Sequence, residues 1–235
     1  MFDARGMPPS STFLPHDQSS TPLATHWHAM SHYASIPDLF PLHGGCACGH
    51  IRYTLARAPL AVHACHCPLC QRESGSGFTI NAVIETEHIV PAPSAAPVLP
   101  GTNTPLGPPQ PSLSPLSTGI ASSPSGESAG QTIGVPTPTA SHAAQTIHRC
   151  PRCSVAVWSF YGGVETGPVA YLRAATLDRL DVLAPDAHIF VRSKRGFVVL
   201  AAGTPRFEEH YRPDDVYRPE ALERLRAVVG AGTSA

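Results

Sequence analysis

Seven cysteines gathered in three short clusters constrain this 235-residue chain more than any other feature. Cys46 and Cys48 lie in Gly-Gly-Cys-Ala-Cys-Gly. Cys65, Cys67 and Cys70 lie in Cys-His-Cys-Pro-Leu-Cys, and Cys150 and Cys153 in Cys-Pro-Arg-Cys. An odd count resists a pure disulfide framework. Cysteines one or two residues apart aim two thiolates at one point with little loop entropy to overcome, and zinc needs thiolates about 2.3 Å from a common centre. Gly44, Gly45, Gly49, Pro68 and Pro151 supply the tight or fixed backbone that such turns require.

Structural zinc is normally closed by four protein ligands, whereas catalytic zinc keeps three and an open position. Seven cysteines divide into four and three. Cys65, Cys67 and Cys70 can hold one ion within six residues; Cys46, Cys48, Cys150 and Cys153 can close the other. The expectation is two Zn2+ per chain, the triplet carrying the open position. A single structural zinc beside a reactive thiol cluster is the simpler alternative. His66 sits between two thiolates, but the middle side chain of a C-x-C turn points away from the metal side, which leaves it outside the ligand set.

The four-cysteine pairing requires strands on both sides of residues 91–144 to meet. That segment holds twelve of the 26 prolines and one charged residue, Glu127, and is expected to be a disordered insertion within one domain. Within it, residues 124–133 echo residues 138–147, both ending in Gln-Thr-Ile, which reads as a local duplication. Residues 1–41, rich in Pro, Ser, Thr and His, are expected to form a disordered tail. The domain then runs over 42–215, and 216–235 form a C-terminal helix and tail. Pro219 suits a helix start, and Leu222, Leu225, Val228 and Val229 recur at helical spacing. Elsewhere, His50–Leu55, Phe78–Ile84, Gln145–Arg149, Val155–Phe160, Val169–Ala174 and His188–Arg192 have the β-branched and aromatic content of short strands. The fold class is mainly β.

A net charge of -1 and a single lysine, Lys194, give no pull towards nucleic acid or anionic lipid. No stretch of about 18 apolar residues that could span a membrane appears, and the N-terminus lacks the basic segment and apolar run of a secretory signal, so none is expected. A reducing compartment, the cytoplasm or the nucleus, is expected, and there clustered cysteines bind metal more often than they form disulfides.

The cysteine turns, with Gly-His-Ile-Arg-Tyr after the first, Gln-Arg after the second and Arg before Cys150, resemble the glutathione-dependent formaldehyde-activating enzyme family, which also includes the centromere protein V group. Ser74–Asn81, Ala174–Asp178 and His188–Phe190 agree with it, so the resemblance covers roughly 43–90 and 145–212. It implies twisted antiparallel sheets and a structural zinc on Cys46, Cys48, Cys150 and Cys153. It also implies a second zinc on Cys65, Cys67 and Cys70, and carbon–sulfur lyase chemistry that joins glutathione and formaldehyde as S-(hydroxymethyl)glutathione. The chain departs from the family pattern at Ser154, where glycine is common, and in the length of its insertion.

A thiol brought to a three-thiolate zinc is deprotonated there, which suits a thiol substrate attacking an aldehyde. The expected partners are thus a small thiol, glutathione above all, and an aldehyde. Glutathione carries two carboxylates, for which Arg72 is the nearest arginine in sequence, while Gln71 and Asn81 offer hydrogen bonds. Trp158, Phe160, Phe190 and Phe197 read as core. A non-catalytic zinc module like the centromere protein V group is the alternative, and a metal-buffering or thiol-redox protein is a third.

Overall fold

The computed structural model describes residues 32–95 and 130–231. Among the described residues, ten strands form two sheets. Strands β1 (Leu42–Gly45), β2 (Arg52–Leu55) and β5 (Ile89–Ala92) make a three-stranded antiparallel sheet in the order β1-β2-β5. The larger sheet has seven. β3 (Ala61–Cys65), β4 (Thr79–Glu85), β6 (Ile133–Thr137), β7 (Gln145–Arg149), β8 (Ala156–Tyr161), β9 (Val169–Arg173) and β10 (Ala187–Ile189) lie in the order β10-β3-β4-β9-β8-β7-β6. All its pairings are antiparallel except that of β10 with β3. Helix α1 (Pro68–Ser74) follows β3 directly, while α2 (Pro213–Val216) and α3 (Pro219–Ala231) end the described chain. Among the described residues no helix is long and apolar enough to cross a membrane.

Every residue of β3 is buried, and β4 is buried at all but one position. Their Val and Ala content suits strands in mid-sheet, covered on both faces. One core joins the two sheets: Leu42, Tyr53 and Leu55 from the small one meet Val62, Ala82, Ile84 and Leu172 from the large one. The Arg-Tyr of β2 and the Thr-Leu-Asp that follows β9, distant in sequence, bond each other. The Tyr53 hydroxyl lies 2.6 Å from Thr176 Oγ1, and the Arg52 guanidinium grips both carboxylate oxygens of Asp178. A bidentate arginine–carboxylate pair fixes orientation as well as distance. The chain before Cys46 must pass very close to this seam. A Cβ at Gly44 would lie 2.5 Å from the Tyr53 hydroxyl, and one at Gly45 would collide with the Ile51 carbonyl. Only glycine fits both places.

The strand expectations match the observed elements to within one or two residues at most ends, and α3 starts at Pro219 as its proline suggested. The domain limits are wider than the sequence implied. Tyr33 is 3% exposed and, with Leu39, packs into the main core, so the ordered domain begins before residue 42. Residues 130–144 are structured too: β6 pairs along its length with β7. The two Gln-Thr-Ile echoes thus begin at Gln131 and Gln145, one leading into β6 and the other starting β7. Pro136 is tolerated because β6 is the sheet edge, where a missing N–H costs no ladder bond. The tail over 1–31, the insertion over 96–129 and residues 232–235 lie outside the described residues.

Nor is the C-terminal helix an appendage. Ala221 is fully buried against Leu60 and Val83. Arg224 Nε and Nη2 bond the two oxygens of buried Glu85 at 2.8 and 2.6 Å, and Nη1 donates to the Ala58 carbonyl. Burial pushes the Glu85 carboxyl up, but the Arg224 hydrogen bond and charge outweigh it and hold the group below its ordinary value. A buried pair of this kind costs about 3–5 kcal/mol to break from one side, because the other charge is then left uncompensated.

Candidate metal centres

Two cysteine groups converge, divided as the arithmetic of the sequence suggested: Cys46, Cys48, Cys150 and Cys153 in one, and Cys65, Cys67 and Cys70 in the other. Within each, the sulfurs all lie within 4.8 Å of one another.

The four-sulfur group joins two turns. The first leaves β1, where the Cys46 N–H bonds the Ile51 carbonyl and the Gly49 N–H bonds the Cys46 carbonyl. The second joins β7 to β8, where the Cys150 N–H bonds the Val155 carbonyl and the Ser154 N–H bonds the Cys150 carbonyl. Cys46 Sγ lies 3.5 Å from Cys48 Sγ, which is 3.7 Å from Cys150 Sγ. A tetrahedral zinc with Zn–S near 2.3 Å implies S···S edges of about 3.8 Å, so the donors fit the ion closely. Ile51, Val157 and the flanks of Val155 and Trp158 wall the group in. Burial pushes the Cys48 and Cys150 thiols up. Burial acts the same way on Cys153, but N–H groups of Val155 and Cys48 outweigh it and hold that thiol down. Without a cation, two of the thiols here resist ionisation; a dication removes that conflict.

Ser154 takes a φ of 61°, the left-handed conformation that favours glycine. The glycine expected here from the resemblance would take that conformation without strain. Ser154→Gly is expected to raise stability by about 0.5–1 kcal/mol, a melting shift of about 1–4 °C, read by thermal unfolding of the zinc-loaded chain.

The triplet is built by the β3–α1 junction. Cys65 ends β3. Cys67 is the N-cap of α1, its sulfur accepting the Cys70 N–H at 3.3 Å, and Pro68 occupies the first helical position. Gly75 ends the helix in the left-handed conformation. Hydrogen bonds from Cys65 and Cys70 hold the Cys67 thiol far below its ordinary value. The Cys65 thiol is pushed up by its bond to Cys67. At Cys70 the Cys65 bond lowers the thiol, but the bond to Cys67, burial and the Cys67 charge outweigh it and push it up. One thiolate sharing two thiol protons is a donor set that a zinc ion completes by displacing those protons. His66 points the other way, as expected: it is 0% exposed, and its Nε2 lies 3.0 Å from His188 Nδ1.

All three triplet cysteines line one cavity of about 290 Å3. Its floor comes from the central strands. Arg173 of β9 stands opposite Asn81 of β4, and Asn81 opposite His63 of β3. Arg173 Nη1 donates to Asn81 Oδ1, which turns Asn81 Nδ2 towards His63 Nε2 at 3.3 Å. His63 Nε2 must then accept, so its Nδ1 carries the proton and donates to the Tyr211 hydroxyl at 3.0 Å. Burial, with His210 and Arg173 nearby, drives the His63 pKa down to about 3, so the ring is neutral. Arg173 Nη2 also faces Glu73 of α1 at 3.5 Å, and the other Glu73 oxygen accepts from Arg149 at 2.9 Å. Glu73 thereby ties the triplet helix to the residue preceding Cys150.

Of the three residues expected to contact substrate, Asn81 lines the cavity, and Arg72 and Gln71 do not. Gln71 is buried, donating to the carbonyls of His66 and Ser193 and accepting from Arg195 Nε, so it braces the turn. Arg72 is exposed and lines a separate shallow depression with Gly75, Gly77 and Phe197. Helical geometry explains the misplacement: Arg72 is two residues beyond Cys70, most of the way to the opposite face. Phe197 is 80% exposed, contrary to its reading as core, whereas Phe160 and Phe190 are buried. Arg173, Tyr161 and Tyr171 line the cavity without having been singled out in the sequence. Arg173 was marked by an interrupted apolar strand, Val-Ala-Tyr-Leu-Arg, the signal that did flag Asn81.

No curated protein matches the chain. Residues 41–98, which contain the first cysteine pair, the triplet and the strands between them, match a family model. The model's description, glutathione-dependent formaldehyde-activating enzyme, agrees with the resemblance drawn from the cysteine turns: over these residues the chain is similar to that family.

Proposed function

We propose that the chain is a carbon–sulfur lyase that makes and breaks the bond between a thiol, with glutathione as the co-substrate suggested by the family, and formaldehyde or a related aldehyde. The observation that carries this reading is the cavity opening onto Cys65, Cys67 and Cys70. A purely structural or metal-storing triplet has no need of such a space.

In the synthetic direction the thiol sulfur forms a bond to the carbonyl carbon, and the carbonyl π pair moves to oxygen. The proton lost from sulfur ends on that oxygen, so nothing is oxidised or reduced. The lyase direction is the reverse. Zinc held by Cys65, Cys67 and Cys70 would keep the incoming thiol as its thiolate. The chain's own side chains then handle the oxygen. Tyr161 and Tyr171 line the cavity with their rings 4.7 Å apart. Burial raises both phenols, and the charge of Cys70 raises Tyr161 further, so both remain protonated near neutrality. A protonated phenol donates to an oxygen gaining negative charge, and such a donor contributes most where water is excluded. Leu69, Ile147, Ile189 and Phe190 provide the apolar walls. Arg173, clamped by Asn81 and Glu73, places positive charge near a site that three thiolates and a dication leave formally at -1.

The test is exchange NMR of 13C-formaldehyde with glutathione, with and without the zinc-loaded chain. At least about a tenfold faster formation of the S-hydroxymethyl adduct is expected, a modest share of what positioned donors supply. No acceleration by protein carrying two zinc ions would overturn the lyase reading.

A further inference from the structure

In the lyase reading, on which this inference rests, a proton leaves the thiol sulfur and ends on the aldehyde oxygen. A side chain that carries it must first accept it, and most groups lining the cavity are already engaged. His63 has one ring nitrogen bonded to Asn81 and the other to Tyr211. The two oxygens of Glu73 face Arg149 and Arg173. Tyr161 and Tyr171 hold their protons, since burial raises both phenols. The triplet sulfurs are the expected metal ligands.

His210 differs from all of these. It is exposed and also lines the cavity, which puts it at the rim, where water can exchange protons with it. Its backbone is fixed beside β10. The Phe207 N–H donates to the His188 carbonyl at 2.9 Å, and the Phe190 N–H donates to the Glu209 carbonyl at 3.0 Å. The next residue, Tyr211, is buried and bonded to His63. The His210 ring stands edge-on to His63, with centroids 5.7 Å apart, and 4.7 Å from the Tyr211 ring.

The tautomer follows from one bond. His210 Nδ1 lies 2.8 Å from the Tyr211 carbonyl oxygen. A carbonyl only accepts, so Nδ1 carries the proton and donates it. In the neutral ring Nε2 is then an acceptor, and no hydrogen bond to another described residue occupies it. The two rings beside it do not oppose a charge there. Burial, with His210 and Arg173 nearby, drives the His63 pKa down to about 3, and burial raises the Tyr211 phenol, so both rings are neutral.

We infer that His210 is the general base and general acid of this site. In the synthetic direction Nε2 takes the thiol proton. The sulfur pair forms the bond to the carbonyl carbon, the carbonyl π pair moves to oxygen, and Nε2–H returns the proton to that oxygen. In the lyase direction Nε2 takes the hydroxyl proton, the carbonyl re-forms as the carbon–sulfur bond breaks, and the proton goes to the departing sulfur. His210 begins and ends neutral, and nothing is oxidised or reduced. Imidazole is the side chain most often used for this task.

The exchange assay with 13C-formaldehyde and glutathione, run on the zinc-loaded full chain, tests this with His210→Ala and His210→Gln. Both variants are expected to keep two zinc ions and the melting temperature, because the ring is exposed. Both should lower the acceleration at least about tenfold, towards background. Free imidazole should restore His210→Ala beyond its effect on the uncatalysed reaction, and should not restore His210→Gln, whose side chain fills the space. Acceleration kept in both variants would overturn the inference and leave the lyase reading standing. Loss in both without rescue by imidazole would make His210 a structural or binding residue and overturn it as well. No acceleration by the wild-type chain would remove the lyase reading and this role together. A readout independent of turnover is 15N NMR of the histidine rings in alkaline buffer, with the His210 signal identified by its absence from His210→Gln. A protonated Nδ1 and a bare Nε2 are expected; the opposite tautomer would overturn the assignment.

Discussion

Cys150→Ser is expected to lower the melting temperature by about 10–20 °C, the loss of at least ~5 kcal/mol in a domain of this size. Cys150 is 0% exposed, and its sulfur lies 3.7 Å from Cys48 in the four-sulfur group. That group joins the turn leaving β1 in one sheet to the turn between β7 and β8 in the other. Serine offers zinc no thiolate and leaves a hydroxyl in a pocket walled by Ile51 and Val157. Structural zinc in small sites supplies about 10–16 kcal/mol of binding energy that is also folding energy, against a typical native margin of about 5–15 kcal/mol. The measurements are thermal unfolding by circular dichroism and zinc per chain by elemental analysis. An unchanged melting temperature would mean that the four cysteines do not hold a structural ion.

Cys67→Ser is expected to have the opposite profile: zinc falls from two ions per chain to one, the fold survives, and acceleration of adduct formation drops to background. The substitution is chosen for its local physics. Cys67 caps α1 by accepting the Cys70 N–H, and serine is among the best residues for that task. The helix therefore keeps its cap, while the triplet loses the sulfur that its two neighbours' hydrogen bonds hold as a thiolate. Elemental analysis, circular dichroism and the exchange assay on one preparation separate the outcomes. Full activity with one zinc bound would place the chemistry elsewhere. Two zincs retained would mean that Cys67 is not a ligand.

The two variants separate a cysteine group proposed to hold the fold from one proposed to work, and the helix beside them is short. Glu73 accepts from Arg149, next to Cys150, and faces Arg173 on the cavity floor.

Much of this was legible in the sequence because it is local. A cysteine two or three residues from the next is confined to the same turn, so spacing alone grouped the candidate ligands and separated His66 from them. Strands such as Thr79–Glu85 announced themselves through β-branched content, and α3 through Pro219 and its helical spacing. Ile133, Val135 and Thr137 alternate as well, inside a stretch whose proline content reads as an insertion. Pairing with β7 at the sheet edge decides that this stretch is a strand. The same kind of long-range pairing decides which charge meets the cavity. Arg72 is close to the triplet in sequence, yet helix geometry turns it outwards; Arg173 is distant, yet the β4–β9 register sets it opposite Asn81. Metal ligands and element types are thus written into short stretches, where a few bonds fix geometry. The cavity's wall, its arginine and its pair of phenols depend on strand register and sheet order, which only the packing of the whole domain determines.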